Sequence, residues 1–362
     1  MNATEIANLR LHNQRIATGH FSQPEEVVKW MGAMQAQDYQ QALWAVGLRT
    51  ADAQRADVEQ AIASRKIVLT WPMRGTMHLV PAENVKWMLE LLAPRQLAAD
   101  QLRLKQLELD DQILAQCRDL FEKALSGGRP LTRSALMQLL ENAGIDTQAQ
   151  RGYHILWHMA QKGLICLGTM QEKEQTFVLL EEWIPQFPKL SREEALASLA
   201  GGYFASHGPA SLPDFAGWAG ITLSDARTGL ESVKAKLVAI QNGSKEYWLT
   251  QESADLHIPA TSDTYLLPGF DEYLLGYKDR SDVLAVEHAR KIVPGGNGIF
   301  QPTLVSNGQV VGTWKRSFGK KAVDVTLIPF EKVDDSAPSL TKALQRFSAF
   351  IGLPLSLKAF AT

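Results

Sequence analysis

The chain has 362 residues, of which 45% are hydrophobic and 21% charged, with a formal net charge of −2. That balance suits a globular protein with a real core and excludes a disordered or fibrous chain, while the length predicts two to four subdomains. No run approaches the ~18 apolar residues of a membrane span, and residues 1–20 are polar and helix-like without a signal-peptide core, so a cytoplasmic protein with no membrane partner is expected.

A first helix–hairpin group occupies the N-terminal third. A helix is predicted over residues 24–35, with Val27, Trp30, Met31 and Met34 on its apolar face. A second helix covers 56–64, and strands follow at 67–70 and 78–80. Residues 82–123 read as largely helical and link this group to the next.

The middle group is clearer. Thr132 is placed to cap a helix whose stripe is Leu136, Leu139 and Leu140, and Gly144 ends it. A helix over 148–162 leads to strands at 164–167 and 176–179, with a polar tip at 171–175. A third group repeats the order with helices at 193–206, 212–219 and 223–236. Strands at 237–240 and 247–249 then flank the turn signal Asn242-Gly243. Helices followed by a hairpin, three times over, is the winged-helix variant of the helix-turn-helix.

After residue 258 the texture changes to short strands at 265–267, 298–300, 303–305, 310–314 and 323–327, with Asn307-Gly308 as a tight turn and a last helix over 339–351. The expected fold is α+β: three tandem winged-helix units over 1–125, 126–188 and 189–258, and a small C-terminal β-barrel-like subdomain over 259–362.

Charge is uneven along this plan. Residues 278–321 hold eight Lys or Arg against three Asp or Glu, a balance of +5 that leaves −7 for the rest. One basic region on an acidic body suits a face that meets phosphate, though a solvated loop has the same composition.

Familiar catalytic signatures are missing. His154 and His158 stand four apart, but the intervening Glu of a zinc-protease motif is absent, so no metal is expected. Gly295, Gly296 and Gly298 lack the Lys-Ser/Thr of a phosphate loop and read as a bend. Cys117 and Cys166 fit no disulfide or metal spacing and read as buried thiols.

The remaining candidate is Met34-Gln35-Ala36-Gln37-Asp38-Tyr39. In a continuous helix, residues two apart point ~200° from each other, so Gln35 and Gln37 could not serve one ligand. In an extended segment they share a side. Joint action therefore requires the helix to end at about Gln35. The alternative is two solvent-facing glutamines at a frayed helix end.

Longer blocks accompany this segment: Met73-Arg74-Gly75-Thr76-Met77-His78, residues 267–280 reading LPGFDEYLLGYKDR, Gly298-Ile299-Phe300-Gln301-Pro302-Thr303 and Val311-Gly312-Thr313-Trp314-Lys315. With these blocks the chain resembles the bacterial AlkZ-like DNA glycosylase superfamily over nearly its whole length. The resemblance implies tandem winged helices and a small barrel in a C-shaped body around DNA, and excision of alkylated purines, including those in interstrand crosslinks. It implies Gln35 and Gln37 as the catalytic pair of the branch that carries Gln-x-Gln rather than Gln-x-Asp.

Arg74, His78, Arg280, Lys315 and Arg316 would contact DNA or bracket the site, and Lys320 and Lys321 would reach into a groove or remain solvated. Asp271 is expected to cap a helix or pair with Arg280, and Tyr273 to be core. No cofactor is implied, and a monomer acting on double-stranded DNA is expected. The main rival is a winged-helix regulator without catalysis, and a protein-interaction scaffold is a third reading.

Overall fold

The computed structural model describes residues 1–258, 263–331 and 337–358. The expected boundary at 258/259 borders residues outside that set. The chain forms two compact units, one from Met1–Val58 with Leu196–Thr362 and the other from Glu59–Ala195. Among the described residues no helix is long and apolar enough to cross a membrane.

In the Glu59–Ala195 unit, two hairpins share one sheet. The strands that this unit contributes lie in the order Thr76–Pro81, Ile67–Met73, Ile165–Gln171, Glu174–Leu179, Leu131–Thr132. The hairpins meet antiparallel at Leu69 and Leu167. An isolated two-stranded hairpin buries too little to be stable, and pairing gives each a neighbour. Leu69 and Leu167 are both buried, and the helix Val85–Gln106 packs on the strand Ile67–Met73. Thr132 caps Arg133–Asn142 by accepting the Ala135 N–H, as expected. The next helix is shorter than predicted, Arg151–Gln161, because Ala149 and Gln150 both take positive φ. Cys117 and Cys166 are buried free thiols, and burial pushes the Cys117 pKa up to about 11.

The other unit starts on Ala3–Asn13, capped by an Asn2–Glu5 capping box. This helix is polar in sequence yet buries Arg10 completely. The Arg10 guanidinium lies 3.7 Å from the Tyr277 ring centroid, its Nε donates to the Pro209 carbonyl, and it faces Asp282. Farther along, Arg192–His207, Leu212–Ala219 and Leu223–Val233 precede a hairpin of Leu237–Asn242 and Lys245–Thr250. Asn242 pairs with Lys245, so the two-residue turn is Gly243-Ser244, one residue later than the Asn-Gly signal suggests. Gly243, at φ +61°, fits the first position of such a turn.

The C-terminal sheet is a correction to the sequence reading. It is open, not barrel-like: Leu355–Lys358, Val323–Pro329, Gln309–Phe318, Thr303–Ser306, Thr264–Leu267. Residues 298–300 are not a strand, and Leu355–Lys358 joins Val323–Pro329 in parallel after the crossover helix Pro338–Ile351. That helix explains why closure is unnecessary. It lays Phe347 5.1 Å from both Trp44 and Trp314, so the sheet's apolar face is already covered. Asn307 and Gly308, both at positive φ, make the expected tight turn.

Candidate active site

The Gln-Ala-Gln segment lies between two helices rather than in one. The helix Pro24–Met31 stops four residues earlier than predicted, at Gly32 with φ +76°. Met34–Gln35 is a short extended strand, and Asp38 then caps Tyr39–Gly47 by accepting the Gln41 N–H. Gln35 is 8% exposed and Ala36 1% exposed, while Gln37 is exposed. The chain thus leaves helical geometry over the residues where joint action of the two glutamines requires it.

What holds this segment comes from residues 267–280. Gly269 passes so close to the Phe300 carbonyl that a Cβ would sit 2.8 Å from it, and its N–H donates to Gln41 Oε1. Phe270 follows in the left-handed region at φ +60°. Asp271 then caps the single turn Glu272–Leu275 and accepts two hydrogen bonds of 2.9 Å from the Arg49 guanidinium. Arg49 is fully buried and its remaining donors go to the Gln14 and Ala45 carbonyls and to Gln14 Oε1. Asp271 is therefore a cap and an ion-pair partner, but of Arg49 and not Arg280. Tyr273 is core, as expected, with its hydroxyl donating to the Gly308 carbonyl at 2.6 Å.

Glu272 is 1% exposed. Its Oε1 accepts the Gln35 backbone N–H at 3.1 Å and its Oε2 the Trp218 indole N–H at 3.0 Å. His207 Nε2 stands 3.6 Å from Oε2, beyond hydrogen-bond reach, and its ring stacks on Tyr203. Burial holds His207 below the ordinary imidazole pKa against the pull of Glu272.

The basic candidates take several positions. Arg316 is half-buried on Gln309–Phe318, on the strand face it shares with Trp314 and Phe318. Burial lowers its pKa and the Asp38 carboxylate, next to Gln37, opposes that shift, so this guanidinium belongs to the surroundings of the glutamine segment. Its Nη1 is buried and has no hydrogen-bond partner among the described residues. Lys315 is exposed. Lys320 and Lys321 are exposed at the tip between Phe318 and Val323, which the Gly319 N–H to Ala322 carbonyl bond closes.

Arg280 is half-buried, donates to the Leu274 carbonyl and stacks on Phe300. It lines a cleft of about 780 Å³ with Lys245 and Lys278, and that cleft is not lined by Gln35 or Gln37.

Arg74 and His78 lie in the Glu59–Ala195 unit. Arg74 and Gly75, both at positive φ, form the hairpin turn between Met73 and Thr76. His78 is 0% exposed. Its Nδ1 donates to the Thr76 carbonyl and its Nε2 accepts from Arg74 at 3.1 Å, so it sits beneath Arg74 rather than at the surface. His154 faces Asp100 at 3.3 Å and His158 is buried. No group of three metal-ligating side chains occurs among the described residues.

A family model described as DNA glycosylase AlkZ-like matches residues 28–350 of this chain. The chain belongs to the AlkZ-like DNA glycosylase family. It is similar to the interstrand DNA cross-link repair glycosylase of Streptomyces sahachiroi, with 26% identity over 336 residues that cover 88% of this chain and 90% of that protein. It is also similar to the solved structure of Streptomyces sahachiroi DNA glycosylase AlkZ, with a TM-score of 0.82 at 22% identity, over 99% of this chain and 100% of that one. That likeness supports the α+β fold. As a member of the AlkZ-like family the chain is a DNA glycosylase, an enzyme of DNA repair.

Sequence reasoning missed Arg49, Glu272, Trp218 and His207 as parts of the network behind Gln35. Glu272 stood inside a quoted block, but its partner Gln35 is far away in the chain. For Arg49 the only local sign is a cation at the end of the apolar run Ala42 to Leu48.

Proposed function

We propose that this protein is a monofunctional glycosylase that hydrolyses the N-glycosidic bond of cationic N7-alkylated purines in double-stranded DNA, with Gln35 and Gln37 as the catalytic pair. Crosslinked purines are a natural extension, given what the Streptomyces relative is named for. The observation that carries this reading is the helix break: the chain runs extended at Gln35 and resumes a helix only at Tyr39.

Two amides suit a particular kind of lesion. Glutamine cannot act as a base near neutral pH, but its carbonyl orients water and its dipole stabilises an oxocarbenium-like sugar. An N7-alkylated purine already carries a positive charge and departs as a neutral base, so no proton has to be supplied. Neutral bases need more assistance than amides give. No lysine lies between Met34 and Tyr39, which suits water rather than a Schiff-base-forming amine as the nucleophile.

The test is base release from duplexes with a single lesion. The purified protein releases N7-methylguanine while unmodified guanine and neutral damaged bases stay attached over the same time. Binding to the alkylated duplex without release of any base would favour the non-catalytic regulator.

Around the pair, Arg316 and Lys315 bracket the site, and Arg280 and Arg74 meet phosphate, with His78 supporting Arg74 from beneath. Lys320 and Lys321, on an exposed tip beside the half-exposed Phe318, enter a groove or grip its phosphates. Each phosphate contact adds about −0.9 to the slope of log affinity against log salt. Reversing both lysines to glutamate is therefore expected to weaken duplex binding and flatten that slope by about two. A salt titration of duplex affinity reads this directly, and an unchanged slope would place both lysines in solvent.

A further inference from the structure

We propose that Glu272 is a positioning residue for catalysis: its buried carboxylate fixes the backbone of Gln35 and so aims the catalytic amide. The inference rests on the proposed role of Gln35.

The geometry is specific. Gln35 and Glu272 are 237 residues apart in the chain, yet the Gln35 N–H meets Oε1 at 3.1 Å. The other oxygen receives Trp218. A carboxylate at 1% exposure is costly unless N–H groups replace its water, so its presence demands an explanation that an apolar side chain would not. Trp218 also touches the bend itself. Its ring edge lies 3.7 Å from where a side chain at Gly32 would begin. One carboxylate and one indole therefore hold both the residue that breaks the helix and the extended residue after it.

The support behind Glu272 is rigid. Asp271, its chain neighbour, is clamped by Arg49, whose donors are all occupied. The constraint runs from Arg49 through Asp271 and Glu272 to Gln35. A group that acts through its dipole must be held within about 0.5 Å of its working position, and the bond to Glu272 fixes the backbone from which the Gln35 side chain springs. Carboxylate chemistry matters as well as shape. Glutamate only accepts, and here it faces two donors. Glutamine in its place would turn an NH2 toward the Gln35 N–H or the Trp218 N–H.

This gives a test with a built-in rescue. Single-turnover release of N7-methylguanine and affinity for the same duplex are measured for wild type, Glu272→Gln, Glu272→Gln with Trp218→Phe, Glu272→Asp and Gln35→Ala. Glu272→Gln is expected to slow release about tenfold, the equivalent of one charge-assisted hydrogen bond, with affinity held within about twofold. Adding Trp218→Phe removes the competing donor, lets the amide oxygen accept the Gln35 N–H and restores much of the rate. Glu272→Asp keeps the charge but withdraws it from Gln35, and slows release at unchanged affinity.

Release at the wild-type rate in both Glu272 variants, with Gln35→Ala inactive, would overturn the inference and leave the catalytic reading of Gln35 standing. Rate and affinity falling together without rescue would also overturn it, in favour of a purely structural carboxylate. A fully active Gln35→Ala would remove the catalytic reading, and this inference with it.

Discussion

Replacing Gln35 or Gln37 by alanine is expected to lower single-turnover release of N7-methylguanine by about 10²–10³-fold, the usual cost of deleting one preorganised dipole at a developing charge. The two substitutions should differ in their side effects. Gln35 is nearly buried and its backbone N–H, which alanine retains, is held by Glu272, so the segment keeps its course. Gln37 is exposed, so its loss should leave stability unchanged. Duplex affinity should change little in either variant, because most of it comes from phosphate contacts elsewhere. Joint action of the pair on one water predicts that the double variant is scarcely slower than the slower single one. Additive losses would mean that the glutamines act on separate steps. A rate unaffected by both changes would place the catalytic groups elsewhere than Gln35 and Gln37.

Changing Asp271 to asparagine is expected to destabilise its unit by about 3–5 kcal/mol, because it leaves the Arg49 guanidinium in the core with its countercharge gone. Asparagine can still cap the turn Glu272–Leu275, so the loss reports the ion pair rather than the cap. The measurement is urea unfolding followed by tryptophan fluorescence, since Trp44, Trp218 and Trp314 all lie in this unit and are buried. Its transition should move to lower urea. Adding Arg49→Met should recover part of the loss, because an apolar side chain of similar length no longer asks for a partner. An unshifted transition in Asp271→Asn would mean that solvent reaches the pair. Since Asp271 carries Glu272, base release should fall as well, even in urea-free buffer where the variant remains folded.

Much of the local structure is legible along the chain because its causes are local. Thr132 caps because its hydroxyl meets an N–H three residues on. Asn307-Gly308 turns because both residues tolerate positive φ. Leu212–Ala219 appears where Ser211, Pro213 and the apolar run place it. The open C-terminal sheet was not legible, because closure depends on whether another element covers the apolar face, and only the packing of Phe347 between Trp44 and Trp314 answers that. The buried state of Arg10, on a helix that reads as polar, has the same origin: its partners, Pro209, Tyr277 and Asp282, come from distant parts of the chain.

The Gln-Ala-Gln segment divides along the same line. Sequence by itself determined that the two glutamines could act together only if the helix stopped, since a helix turns 100° per residue and an extended chain alternates sides. Under the proposed function, two amides also call for a leaving group that brings its own charge. What keeps the chain extended after the helix, only the tertiary structure decided. Gly32, a local signal at φ +76°, ends the helix, while Glu272, 237 residues away from Gln35 in the chain, supplies the acceptor for the Gln35 N–H. A hydrogen bond between residues so far apart leaves no periodicity, spacing or composition behind it, because it exists only once the fold has brought the two together.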